Sequence, residues 1–188
     1  MEILTWPEAD VPADLRPQVV ALQDQAWPGT EPNGPEPWHD PALRPVSLLL
    51  VDDGRVLAAL DILSKRLGHR GETYRASGLS TVVTDIAARR RGHGLRLIVA
   101  AHEAMRSAGA DLAIFTCDAD LAPFYERGGY EVLVGAVLVG GTPAEPLPSD
   151  RLGKAVLWCP YTPHAEGHAA DFRGTRIGLY PGTVDRIW

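Results

Sequence analysis

Cysteine is scarce in this 188-residue chain: Cys117 and Cys159 are the only two. Two lone cysteines so far apart form neither a disulfide framework nor a zinc pattern. The histidines contain no H-E-x-x-H spacing, so no metal is expected. Long basic runs are also missing, and 18 Lys and Arg against 24 Asp and Glu leave a net charge of −6. That excludes a general grip on nucleic acid, which needs many cations to neutralise phosphates. The acidic balance suits a cationic small-molecule partner. No apolar run approaches the ~18 residues of a membrane span. The first residues, Met1 to Trp6, show neither a basic segment nor an apolar one, so no export signal is expected. The chain is read as a soluble, cytoplasmic protein with no membrane partner.

Apolar residues make up 45% of the sequence, enough to bury one substantial core at this length. A single domain over 1–188 is expected. Residues 14–26 predict a first helix, since Leu15, Val19, Leu22 and Ala26 share a face and Asp14 can cap it. Residues 27–45 hold six prolines and two glycines, which forbids a long helix or a central strand. A long loop carrying Trp38, His39 and Asp40 reads as a binding loop or lid. Residues 47–51 and 56–63 predict strands joined at Asp53-Gly54, a hairpin signal. Residues 66–73 read as a polar connection and 74–84 as a third strand ending in a β-branched run.

A helix is expected from the 85–94 segment to about residue 108, with Leu95, Ile98, Ala101 and Met105 on one face. Strands at 111–117, 130–139, 154–158 and 176–180, a short helix ending near Arg127 and a loop at 140–153 complete the reading. Residues 181–188 form a C-terminal tail. The order predicts a mixed sheet with helices on its faces.

Arg89, Arg90, Arg91, Gly92, His93 and Gly94 carry the chemistry. Together they spell R-x-x-G-x-G at a helix start. Glycines there let backbone N–H groups face an anion, and the helix dipole favours negative charge. The loop therefore reads as a diphosphate cradle. No Gly-Lys-Ser/Thr follows, and Leu97 stands where a dinucleotide fingerprint needs glycine. One strand and one helix later comes Phe124-Tyr125-Glu126-Arg127-Gly128-Gly129-Tyr130.

This pair of motifs resembles the GCN5-related N-acetyltransferase (GNAT) superfamily, whose R/Q-x-x-G-x-G/A loop is followed by a Y-x-x-x-G-aromatic ending. The resemblance spans about residues 47–139. It implies an α/β fold with a mixed, mostly antiparallel central sheet flanked by helices. It implies acetyl-CoA as co-substrate, with loop N–H groups of 89–94 on the diphosphate and the backbone of Val82, Val83 and Thr84 along the pantetheine arm. Tyr125 would protonate the departing thiolate. Ala119 replaces an asparagine that many members carry six residues before that tyrosine, and Asp118 beside it is a substitute contact.

The implied reaction is attack of a neutral amine on the thioester. The developing oxyanion would meet a backbone N–H near Val83. Candidate bases are Asp118, His39 and Asp40, while Ser80 or Thr81 could position a water. The chain also distantly resembles aminoglycoside 2′-N-acetyltransferases, in the Trp38 loop, in the 70–75 segment and in a terminal tryptophan preceded by an acid, Trp188 and Asp185. Ser80 stands where those enzymes carry a glutamate. The resemblance implies a small-molecule amine acceptor bound by Trp38, His39, Asp40, Asp185 and Trp188, and it leaves room for a homodimer. A peptide or protein amine, and a non-catalytic acyl-CoA sensor, remain alternatives.

Overall fold

The structure is a computed structural model describing residues 1–28 and 38–182. Asp185 and Trp188 lie outside the described residues. Seven strands form the main sheet: β1 (Glu2–Pro7), β2 (Val46–Asp52), β3 (Arg55–His69), β4 (Glu72–Thr84), β5 (Leu112–Asp118), β9 (Lys154–Pro160) and β6 (Glu131–Val132), in that spatial order. All neighbours are antiparallel except β4 and β5. Between β6 and β9 in sequence lie β7 (Val137–Gly141) and β8 (Pro146–Pro148), which form a second sheet with β10 (Arg176–Gly178). The mixed, mostly antiparallel architecture is the expected one.

Two helices cover opposite faces of the main sheet. Helix α1 (Arg16–Ala26) packs Val19 and Leu22 with Leu49, Val51, Val56, Ala59 and Val83. Helix α2 (His93–Ser107) packs Leu97, Ile98, Ala101 and Met105 in a larger cluster with Leu48, Leu50 and Leu60. Consecutive strand residues point to opposite faces, so the alternation of Leu48 to Val51 between the two clusters places the helices on opposite sides. Buried on both faces, β3 reads as the near-continuous apolar run Val56–Leu60, which Asp61 interrupts.

Several local expectations need correction. Leu15, not Asp14, precedes α1, and no side chain caps that end. The 85–94 segment does not open the helix directly: a single 3-10 turn, Ile86–Ala88, comes first, and α2 begins at His93. The polar connection at 66–73 is strand, since β3 runs to His69 and β4 starts at Glu72. Its period-2 pattern is masked because Lys65 and His69 point inward. Lys65 Nζ donates to the carbonyls of Leu179 and Pro181, and His69 Nε2 meets the Asp171 carbonyl at 2.8 Å. The strand at 130–139 breaks at Gly135, whose φ of 73° is left-handed, into β6 and β7 of different sheets. Strand β1 and the short helices α4 (Pro163–Gly167) and α5 (Ala169–Phe172) were not anticipated. Among the described residues, no helix is long and apolar enough to cross a membrane.

The feature that positions the site is a parting of β4 from β5. They pair only at Ala76 with Leu112 and Ser77 with Ala113. Beyond that point β4 stays with β3 to Thr84 while β5 stays with β9 to Asp118. A β-bulge accompanies the divergence. Ala59 pairs with Val83 but Asp61 pairs with Ser80, so Thr81 and Val82 together oppose Leu60. Thr81 absorbs the extra residue with φ 49°. Bulges bend their strand and disrupt the ladder locally.

Candidate active site

The V between the parted strands holds a cavity of about 350 Å³. Leu79, Ser80, Thr81 and Val82 line it from β4, and Thr116, Cys117 and Asp118 from β5. Helix α3 (Ala122–Glu126) closes one side with Tyr125, and Trp27, Leu121 and Leu152 stand partly exposed at the cavity. Among the described residues, the β4 edge facing β5 has no ladder partner after Ser77. Its N–H and C=O groups can therefore pair with an extended ligand, as β-strand addition requires.

At the far end of that edge lies the N-terminus of α2. Gly92 caps it with φ 81°, a left-handed conformation that favours glycine, and among the described residues no side chain caps the first N–H groups. Gly94 is needed for a different reason. A Cβ there would stand 3.1 Å from Thr84 Oγ1 and 3.2 Å from Phe124 Cζ. Helix α2, the end of β4 and α3 thus meet at Gly94, and Tyr125 follows Phe124 into the cavity. Arg89, Arg90 and Arg91 surround the turn, with Arg89 Nε donating to the Thr84 carbonyl at 3.3 Å. Asp85 fixes the turn by accepting from Ala87 N–H at 2.9 Å and pairing with Arg55. Those contacts, the backbone N–H first, hold its carboxyl below the ordinary value. An uncapped helix N-terminus with three arginines beside it fits a diphosphate.

Tyr125 is 7% exposed and lies edge-on to Phe115, with ring centroids 5.2 Å apart. Burial, with the nearby Cys117 and Asp118, raises its hydroxyl well above the ordinary value, so it stays protonated near neutrality. Burial likewise pushes Cys117 up to about 11, leaving a neutral thiol. Asp118 reaches the cavity as half of an ion pair, with Lys154 Nζ at 2.5 Å. Ser80 lines the cavity, as does Val82, whereas Val83 is buried beneath α1.

The loop residues separate. Asp40 caps a 3-10 turn, accepting from Ala42 N–H at 2.8 Å, and is exposed. Trp38 packs against the α1 cluster with Arg16 5.4 Å above its ring, and it does not line the cavity. His39 is buried, with Nε2 3.4 Å from Asp61 Oδ2. Both Trp38 and His39 are held by Glu8, whose carboxylate accepts their backbone N–H groups. Glu8 is fully buried, and desolvation raises its pKa despite those bonds.

Glu8, Asp61 and Trp27 escaped the sequence reading. For Asp61 a signal was present, an acid inside an apolar strand. Glu8 and Trp27 carried none, because only the tertiary fold brings them to this region. His164 and His168, four residues apart, pack around Tyr74 with ring centroids 4.8 Å from each other. Among the described residues, no three His, Cys, Asp or Glu side chains gather as a metal site.

Residues 10–133 match the family described as acetyltransferase (GNAT) domain. No curated protein matches the sequence significantly. Among solved structures, an acyl-CoA N-acyltransferase from Pseudomonas aeruginosa superposes with a TM-score of 0.59 at 19% identity, over 84% of this chain and 97% of the other. An aminoglycoside 6′-N-acetyltransferase complexed with coenzyme A gives 0.59 at 15%, over 87% and 98%. A chain of the NatC complex bound to Gag peptide and CoA gives 0.57 at 15%, over 86% and 100%. At such identities the likeness establishes the fold.

Proposed function

This chain belongs to the GNAT family of N-acetyltransferases, and on that premise we propose that it moves an acetyl group from acetyl-CoA to the primary amine of a small molecule. The observation that carries the reading is the continuous path from the uncapped α2 N-terminus, along the free edge of β4, to a cavity bearing the Tyr125 hydroxyl. The N–H groups of α2 and the flanking arginines suit the diphosphate. The edge of β4 suits the amide-containing pantetheine arm. Acetyl-CoA, when bound, supplies an activated thioester. Tyr125, neutral, buried and lining the cavity, would donate a proton to the sulfur as the C–S bond breaks, a role supported by its burial and raised pKa.

An acceptor of limited size is favoured by the cavity's modest volume of about 350 Å³, with Trp27, Leu147 and Leu152 standing at it beside the strands. Aminoglycosides with a free 2′-amino group are one class to test, supported by the resemblance in the Trp38 loop. Their several ammonium groups would need acidic partners, and Asp118, the acid in the described lining, is already paired with Lys154. Simple alkyl and aryl amines therefore belong in the same panel.

The test is release of free thiol from acetyl-CoA across aminoglycosides, small amines and peptides, with wild type and Tyr125→Phe side by side. General acid catalysis is worth about 10²–10⁴-fold, so Tyr125→Phe should lower kcat by well over tenfold on the accepted amine and leave acetyl-CoA binding unchanged. Equal kcat would reduce Tyr125 to a packing residue. Turnover of peptides alone would refute the small-molecule acceptor.

A further inference from the structure

Asp61 lies behind the cavity wall rather than in it: it is 1% exposed and does not line the space. Its carboxylate is nonetheless well furnished. Oδ1 accepts the Ser47 hydroxyl at 2.5 Å. Oδ2 accepts the Thr81 hydroxyl at 2.5 Å and lies 3.4 Å from His39 Nε2. A buried carboxylate persists only with such partners. One of them, Thr81, lines the cavity. Thr81 is also the bulge residue with φ 49°. A β-branched side chain in the left-handed region is a true outlier, and strain of this kind gathers at functional sites. Ser80 holds the regular position opposite Asp61, and at the bulge its neighbour Thr81 reaches the same carboxylate.

We propose that Thr81 and Asp61 form the proton-accepting arm of the acetyl transfer, an assignment that rests on the acetyltransferase reading above. As the amine nitrogen bonds to the thioester carbonyl carbon, its surplus proton passes to Thr81 Oγ1. The proton of that hydroxyl passes in turn to Asp61 Oδ2. The C–S bond then breaks, the carbonyl re-forms, and the sulfur takes the phenolic proton of Tyr125. Amine and thioester thus become amide and thiol. Asp61 afterwards loses its proton to solvent and Tyr125 regains one. Thr81 touches the amine and is the catalytic residue of the arm. Asp61 acts through it and is a positioning residue, oriented by Ser47 and His39. Glu8, which holds the backbone of His39, fixes the arm to the α1 side of the sheet.

Three variants and one double variant test this on whichever amine the wild type turns over. Asp61→Asn preserves shape but cannot take the proton. Thr81→Val removes only the hydroxyl, and Thr81→Ser retains it. Asp61→Asn and Thr81→Val should each lower kcat about 10²-fold or more, with the KM for acetyl-CoA unchanged. Thr81→Ser should stay within about fivefold of wild type on the same scale of effects. The double variant should be no slower than the slower single, because residues acting as a unit are not additive. A merely structural pair would instead show itself as a lowered Tm with kcat retained in the folded protein. Losses that multiply, or equal losses for Thr81→Val and Thr81→Ser, would show that the two do not act as one arm. Either result overturns the arm. If Asp61→Asn does not fold, the comparison of Val with Ser at position 81 decides alone. Wild-type kcat in Asp61→Asn or Thr81→Val, beside an active wild type, refutes the arm and spares the acetyltransferase reading. A wild type that acetylates no amine refutes both.

Discussion

Gly128 offers a test of how tightly the site's two helices are locked. It follows α3, and a Cβ built there would stand 2.2 Å from Ile98 Cγ2, in the buried face of α2. Ordinary contact begins near 3.4 Å, so Gly128→Ala leaves the pair short by about 1.2 Å. Ile98 is β-branched and fully buried, which limits its escape by rotation. The helices must therefore part. Overpacking of this kind costs about 1–3 kcal/mol. For a chain of this size each kcal/mol lowers Tm by roughly 2–4 °C, so a fall of about 2–12 °C is expected. Tyr125 sits three residues before Gly128 and moves with α3. A displacement near 1 Å can cost on the order of 10²-fold in rate, so kcat should drop by at least about tenfold while the protein remains folded at 25 °C. Gly167→Ala is the control: its Cβ meets nothing within 4 Å and its φ is not left-handed. That change should be neutral or stabilising by up to about 1 kcal/mol. Differential scanning calorimetry and thiol-release kinetics read both variants. A Gly128→Ala protein that melts within a degree of wild type and keeps its kcat would refute the close α2–α3 packing and its role in placing Tyr125.

Two further changes probe the donor loop. Gly92→Asp places a carboxylate where the diphosphate is proposed to sit, at a left-handed position with open space around the Cβ. Asp tolerates that conformation better than most residues and can cap α2. Two like charges 4 Å apart repel by about 4 kcal/mol near a protein surface; the acetyl-CoA KM should rise more than about tenfold, with Tm lowered by roughly 2–8 °C through the left-handed strain, and an unchanged KM would remove the loop from the donor site. Asp85→Asn weakens the bonds to Ala87 and Arg55. Because the folded-state carboxyl is held low, its contribution is present above the ordinary aspartate range and is lost as pH falls through the folded value. The wild type should therefore exceed Asp85→Asn by about 0.5–2 kcal/mol at pH 7, and the gap should close in parallel thermal melts as pH falls through and below the ordinary aspartate range. A constant gap across that range would show that ionisation of Asp85 does not support the loop.

Motifs whose physics is local were legible in the chain itself. R-x-x-G-x-G implies a helix start open to an anion, and Gly92 with its left-handed φ is that start. Of the expected face of α2, Ile98, Ala101 and Met105 are buried, while Leu97 fills the core position expected of Leu95, which is only half-buried. The Asp53-Gly54 turn joins β2 to β3 as its composition demands. Family membership followed from the same segments, because the glycine loop and the helix after it are contiguous in sequence.

The acceptor side was a matter for the tertiary structure. Lys65 and His69 hid a strand, since their inward turn depends on carbonyls more than a hundred residues away. Asp14 looked like a cap and Asp40 like a base, yet Asp40 caps and Asp14 does not. Either role is open to an isolated carboxylate, and the backbone around it selects between them. Asp61 announced an anomaly but not its partners. Those partners, Ser47, Thr81 and His39, come from two neighbouring strands and the loop that Glu8 anchors. They meet at the bulge in β4, where Ser80 stands opposite Asp61 and Thr81 reaches the same carboxylate. The sequence by itself determined the family, through two motifs that resemble it, and the two covering helices, which rest on periodicity and short-range backbone geometry. Only the tertiary structure decided the cavity and its buried carboxylate, because strand register and a single bulge set which side chains face each other, and neither is written in local sequence.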